Sequence, residues 1–266
     1  MRNAIRIVQI SDLHLLGDPG SCTNGVDSAA VLERVVPLVN ALAPDLVVAT
    51  GDLTDDGTPA AYHRLRQLLA PLRVPLRACP GNHDDRQAFR EAFGFVADAP
   101  LHQSLAVAGV RLVLLDSTVP GHSAGRLPED DLAWLEAECA AHPDTCTCVF
   151  LHHQPLPIYV RWLDAVGLQH PDGLLQLLAR HPQVRVVAHG HVHQPRRWRY
   201  GAQLVASVPA LAYQISPLSQ EPQITQDPPG FRCLEICGNE VRDCLYFLDG
   251  RVVPEPAWNA TPIYIR

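Results

Sequence analysis

The chain has 266 residues, 47% of them hydrophobic, and a formal net charge of −7 at pH 7. That length carries one domain with a full core, and no apolar run reaches the roughly 20 residues of a membrane-spanning helix. The acidic balance argues against a nucleic-acid polymer as partner, because neutralising its phosphates takes a basic surface.

In chain order, Ile5–Ile10 reads as a strand, entered from Met1-Arg2-Asn3 with no export signal, so a cytoplasmic location is expected. It runs into Asp12-Leu-His14. Ser28–Leu42 has helical periodicity, and Pro37 inside it predicts a kink or an early stop. The strand Asp45–Thr50 ends on Gly51-Asp52. Thr58-Pro59 then opens the helix Pro59–Ala70, with a capping hydroxyl before proline at the first helical position. The strand Val74–Cys79 leads into Gly81-Asn82-His83-Asp84 and the helix Arg86–Phe93. Next come the strand Val110–Leu115, the helix Pro128–Ala141, the strand Thr147–Leu151 ending on His152-His153, the helix Gly173–Ala179, and the strand Val184–Ala188 ahead of Gly190-His191-Val192-His193. Strands alternating with helices predict a layered α/β domain.

After His193 the pattern changes to strands at Arg197–Tyr200, Leu204–Ser207, Phe231–Ile236 and Val241–Leu248, turned by Asp249-Gly250. From about residue 196 this region is expected to complete a second sheet, with the whole chain, 1–266, one domain. Gln214–Gly230 reads as a long loop and a candidate lid, and the tail from Pro254 as a surface wrapping. The sequon at Asn259 carries no weight without a secretory route. Eight cysteines with no C-x-x-C pair read as packing thiols, Cys146 and Cys148 sharing one strand face. Arg196-Arg-Trp-Arg199 reads as a solvated strand face.

Five polar clusters each follow a strand, at the carboxyl edge where open α/β sheets bind ligands. Any one of them is an ordinary loop; five in register point to a site. Carboxylate, amide and imidazole together suit Mn, Fe or Zn, and the absence of thiolate opposes a structural zinc site. Two such ions can clamp the oxygens of an in-line phosphoryl displacement, with Asp52 the carboxylate chosen to bridge them.

D-x-H, G-D, G-N-H-D, H and G-H-x-H, in this order from Asp12 to His193, resemble the calcineurin-like metallophosphoesterase superfamily. The resemblance implies a four-layer αββα sandwich of two mixed β-sheets flanked by helices. It implies one metal held by Asp12, His14, Asp52 and His193, and a second held by Asp52, Asn82, His152 and His191. A metal-bridging hydroxide would attack phosphorus, and His83 would protonate the leaving oxygen with Asp84 orienting its ring. Of His152 and His153 the first is chosen as ligand; strand alternation turns His153 to the other side, as a support behind the ligands or a substrate contact. His189, where relatives often have cysteine, is taken as a structural neighbour.

Gly25-Val-Asp27, Ala60-Ala-Tyr62, Leu115-Asp-Ser117, Pro155-Leu-Pro157 and Trp162-Leu-Asp164 resemble the bacterial class III 3',5'-cyclic nucleotide phosphodiesterases. They imply hydrolysis of a small phosphodiester, cAMP to 5'-AMP. Tyr159, Arg161 and Trp162 could wall the substrate. Rival readings are a phosphodiesterase for glycerophosphodiesters, nucleotide pyrophosphates or lipid headgroups, and a catalytically silent scaffold of the same fold. Monomer and homodimer are both left open.

Overall fold

Strands with apolar residues on both faces must be covered on both faces, and the molecule meets this with four layers. The computed structural model describes residues 4–254, so the tail beyond Pro254 and the sequon at Asn259 lie outside the described residues. The N-terminal part is β1 (Ile5–Ile10), α1 (Ser28–Leu42), β2 (Leu46–Thr50), α2 (Pro59–Leu69), β3 (Leu76–Cys79) and α3 (Arg86–Phe93). The central part is β4 (Gln103–Val107), β5 (Val110–Leu114), α4 (Glu129–Ala141), β6 (Thr147–Leu151), α5 (Arg161–Ala165), α6 (Asp172–Arg180) and β7 (Val184–His189). The remainder is β8 (Arg197–Tyr200), β9 (Gln203–Ser207), β10 (Gln214–Ile215), β11 (Ile224–Thr225), β12 (Gly230–Cys237), β13 (Glu240–Phe247) and β14 (Val252–Pro254).

One six-stranded sheet has the order β14-β13-β12-β1-β2-β3 and the other β4-β5-β6-β7-β9-β8. Both are mixed: β1, β2 and β3 run parallel with β12 antiparallel to β1, while β5, β6, β7 and β9 run parallel between antiparallel edges. Strand alternation assigns the layers. In β1, Ile5 and Ile7 enter the middle layer, while Val8 and Ile10 face the helices. In β6, Cys148 and Phe150 meet them from the opposite sheet, and Val149 and Leu151 pack outward near α4 and α6. Cys146 and Cys148 both pack into the middle layer as free thiols.

Three expectations are corrected. Only β8 and β9 join the second sheet; β12, β13 and β14 extend the first, because alternating Phe231, Cys233 and Leu234, Ile236 satisfy its outer and middle layers beside β1. Pro37 does not end α1, which runs to Leu42 with Val31, Leu32, Val35, Val36 and Val39 buried against the sheet. Gln214–Gly230 is no plain loop, since β10 and β11 pair within it as a short hairpin. The helix starts read from sequence match their caps: the Asp27 carboxylate accepts from Ala29 and Ala30 N–H, and Thr58 Oγ1 accepts from Ala61 N–H.

Candidate metal centre

The polar clusters gather where the parallel strands of the two sheets end side by side. Asp12 and His14 follow β1, Asp52 follows β2, Asn82 and His83 follow β3, His152 follows β6, and His191 and His193 follow β7. Their backbone is strained: Asp12, His14, Asp52, His191 and His193 have φ of 54°, 44°, 49°, 68° and 49°. Non-glycine residues adopt this left-handed region only when their surroundings force it. The forcing bonds are visible. Asp12 N–H donates to Gly51 O and His14 N–H to Asp52 O, each at 3.0 Å, and His191 N–H donates to Asp12 Oδ1 at 3.0 Å, tying one sheet to the other. Gly81 and Gly190 permit this closeness. A Cβ on Gly81 would collide with the Asp52 backbone nitrogen, and one on Gly190 with Ser11 Oγ.

The imidazoles are oriented from behind. His14 Nδ1–H donates to Asp55 Oδ1 at 2.8 Å, His152 Nδ1–H to Thr50 O at 2.8 Å, and His193 Nδ1–H to Tyr213 O at 2.7 Å. Each ring therefore turns Nε2 toward the same space. His14 Nε2 and His193 Nε2 are 3.1 Å apart, and His193 Nε2 lies 3.4 Å from Asp12 Oδ1. His152 Nε2 lies 3.2 Å from Asn82 Oδ1 and 3.2 Å from His191 Nδ1. Asp52 Oδ2 stands between the two groups, 3.6 Å from His14 Nε2 and 3.3 Å from His152 Nε2.

Donor atoms at this spacing fit ions. Ligand bonds of about 2.1 Å at right angles put neighbouring donors about 3.0 Å apart, close to the separations here. The electrostatics agree. Burial pushes His152 down, but the Asp52 carboxylate outweighs it and holds the imidazole up at about 9. Burial likewise opposes a raised His193, which Asp12 holds up. Asp12, though buried, is held at about 2 by His193. The raised imidazoles and the lowered carboxylate mark a buried site where negative oxygens favour positive charge beside them.

Asp84 does not orient His83. Its buried carboxylate accepts from Gly81 N–H at 2.9 Å, Leu53 and Thr54 N–H at 3.1 Å, and Tyr62 Oη–H at 2.6 Å, so it ties the Asp52 loop to the Asn82 loop. The partner of His83 is Asp55, whose carbonyl accepts from the ring Nδ1–H at 3.2 Å and whose Oδ1 is 3.4 Å away. Asp55 thus serves His14 and His83 together. Its only sequence signal was an acid three residues after Asp52.

Of the two roles left to His153, its surroundings favour support behind the ligands over substrate contact. It is fully buried, and its ring packs within the cluster, tilted and 4.7 Å from that of His191. Its Nε2–H donates to Ser123 O at 3.2 Å and its Nδ1 accepts from Ser117 Oγ at 2.8 Å, so both nitrogens are committed and neither reaches the cleft. Ser117, from the Leu115-Asp-Ser117 match, is its holder. Among the substrate residues Trp162 lines the cleft, whereas Arg161 is exposed and outside the lining. His189 is buried behind the centre, its Nδ1–H donating to Gly190 O at 2.9 Å. Arg197 does not lie free on a solvated face but pairs with buried Asp243 at 2.8 Å. Tyr213, missed in the sequence, packs its ring 4.6 Å from that of His193 and lines the cleft. The cleft encloses about 490 Å³.

Two layered sheets with clustered carboxylate, amide and imidazole donors at their strand ends define a hydrolase scaffold built around metal ions. The family model for calcineurin-like phosphoesterases matches residues 5–195. The chain belongs to that family, whose members use a dinuclear metal centre. It is 37% identical to the 3',5'-cyclic adenosine monophosphate phosphodiesterase CpdA of Pseudomonas aeruginosa over 235 residues, covering 88% of this chain and 86% of the relative. It is 32% identical to the glycerophosphodiester phosphodiesterase GpdQ of Enterobacter lignolyticus, covering 84% of each. Its fold superposes on a dimetal phosphatase from Danio rerio with a TM-score of 0.72 at 15% identity, over 94% of this chain and 98% of the other.

Proposed function

We propose that the chain is a cytoplasmic 3',5'-cyclic-nucleotide phosphodiesterase that converts cAMP to 5'-AMP, the whole chain acting as one domain. The observation that carries the reading is a two-group donor cluster, with Asp52 Oδ2 between its halves, at the floor of a cleft open to a small diester. The 37% identity to CpdA over most of both chains supports the choice of substrate. Asp12, His14, Asp52 and His193 would hold one ion, and Asp52, Asn82, His152 and His191 the other. The O/N donor set suits Mn or Fe, with Zn also accepted. Bound ions supply Lewis-acid polarisation of the phosphoryl oxygens and activation of water.

The chain's own residues do the rest. The buried carboxylates and back-oriented imidazoles fix the charge distribution before substrate arrives. His83 is 40% exposed in its side chain and lines the cleft, with Nδ1 turned to Asp55. That leaves Nε2 to give its proton to the departing ribose 3'-oxygen, while Asp55 stabilises the ring's charge. Asp84 contributes by holding two loops in register, not by touching His83. Trp162 and the hairpin form the apolar part of the cleft.

The test is steady-state kcat/KM of Mn-reconstituted protein on 3',5'-cAMP beside bis(p-nitrophenyl) phosphate and glycerophosphocholine. A cAMP value of about 10⁴ M⁻¹s⁻¹ or higher is expected. The similarity to GpdQ favours a second reading, glycerophosphodiester hydrolysis, which glycerophosphocholine turnover exceeding that of cAMP would establish. His83→Ala should keep its metals and lose about 10²-fold or more in kcat. Asp52→Ala should lose metal and activity together.

A further inference from the structure

The five-residue helix α5 begins at Arg161 with no side-chain cap of its own, Val160 standing at the cap position. The missing acceptor arrives from across the cleft mouth. Gln220, in the tip of the β10–β11 hairpin, accepts from Arg161 N–H through Oε1 at 3.0 Å and donates through Nε2 to Tyr159 O at 3.2 Å. One side chain thus bonds both sides of the α5 entry, where Tyr159 is bent to a φ of 64°.

The hairpin's root is fixed differently from its tip. Ile215 is buried with Ile158, Val160, Leu163 and Val192, the last lying between His191 and His193. Residues 217–223 are mostly exposed, Leu218 to 89%. Pro222, Gln223 and Ile224 from the hairpin, and Trp162, Leu163 and Val166 from α5 and its end, line the same cleft. Gln220 thus joins the two elements that carry these apolar residues, beyond the packing at the root.

We infer that Gln220 is a positioning residue for base recognition: it latches the hairpin to α5, so that Trp162 on one wall and Ile224 on the other enclose the purine of the nucleotide. The inference rests on the nucleotide reading above. A planar aromatic ring, apolar on its faces and polar at its edge, suits a cleft whose lining mixes these apolar side chains with the polar Gln223, Tyr213 and Asn24. A latch of two exposed neutral hydrogen bonds is worth about a tenfold change in an equilibrium, weak enough to open for substrate entry and product release.

The test compares the Mn-loaded full chain with Gln220→Ala, an exposed substitution that leaves the core intact. Calorimetric affinity for 5'-AMP should fall about tenfold in the variant, while affinity for inorganic phosphate stays the same. Hydrogen exchange, which needs no turnover, should quicken about tenfold at the Arg161 amide and across 214–225. Unchanged exchange overturns the latch. Faster exchange with 5'-AMP and phosphate affected alike, or a wild-type protein that binds the two equally, overturns the role in base recognition. Absence of cAMP turnover with 5'-AMP still held more tightly than phosphate would count against the proposed reaction and leave the latch standing.

Discussion

Asp55 serves two imidazoles, its carboxylate bonding His14 and its backbone carbonyl bonding His83, so truncating the side chain frees His14 and strips the nearby charge from His83. Asp55→Ala is expected to lower kcat/KM about 10–100-fold and to weaken metal retention, since a ligand's orientation lost costs about that much. Asp55→Asn, which keeps an acceptor oxygen, should lose less; steady-state kinetics with metal analysis decides. The left-handed backbone makes a second prediction. At His193, with φ of 49°, glycine should give a more stable metal-free protein than alanine by about 1 kcal/mol in urea unfolding, reversing the usual order. Protonation makes a third. His152 is raised from 6.5 to about 9 against the pull of burial, so its contribution to the metal-free fold is complete below pH 6.5 and fades as pH rises through 9. Metal-free protein should therefore lose urea stability between those values. Metal binding near neutral pH should release protons, read as a calorimetric enthalpy that depends on the buffer. At this scale the sequence told much: residue types and spacing picked out side chains that the fold gathers into one cluster. It could not assign Asp84 and Asp55 their partners, because adjacent carboxylates differ only in where the loop turns them.

Among elements, the Asp84 knot joins the loop after β2, the loop after β3 and Tyr62 of α2. Tyr62→Phe removes the 2.6 Å bond while keeping the packed ring, and should cost about 1–2 kcal/mol in urea unfolding. Elements that bury both faces were readable, as in β1, β2, β6 and β7, whose largely apolar runs, broken only by Arg6, Gln9 and Arg185, end in polar clusters. The edge strand β4 was not: Gln103–Val107 is only partly buried on either face and shows neither a run nor an alternation. The two-residue strands β10 and β11 and the five-residue α5 are too short for any period to register. Which sheet β12 to β14 would join was likewise beyond the pattern, because alternation states that two faces are buried without saying beside which strand.

For the whole molecule, Asp12, Asp52 and Asn82 come from one sheet and His152, His191 and His193 from the other. Ions held by both, as proposed, would act across the interface, and ligand at 100 times its dissociation constant adds about 2.7 kcal/mol to folding. Mn loading is expected to raise the thermal midpoint by about 5–10 °C, and chelation to reverse it, in calorimetric scans.

The same division gives the middle layer a second duty. Ile7, Val48, Phe150 and Ala188 fix how far apart the sheets stand, and hence the reach from one set of donors to the other. They act as a spacer gauge for ions they never meet. A methylene trimmed there would shift one set of donors against the other while every donor side chain stays the same, so the dry interior belongs to the site as much as the loops do.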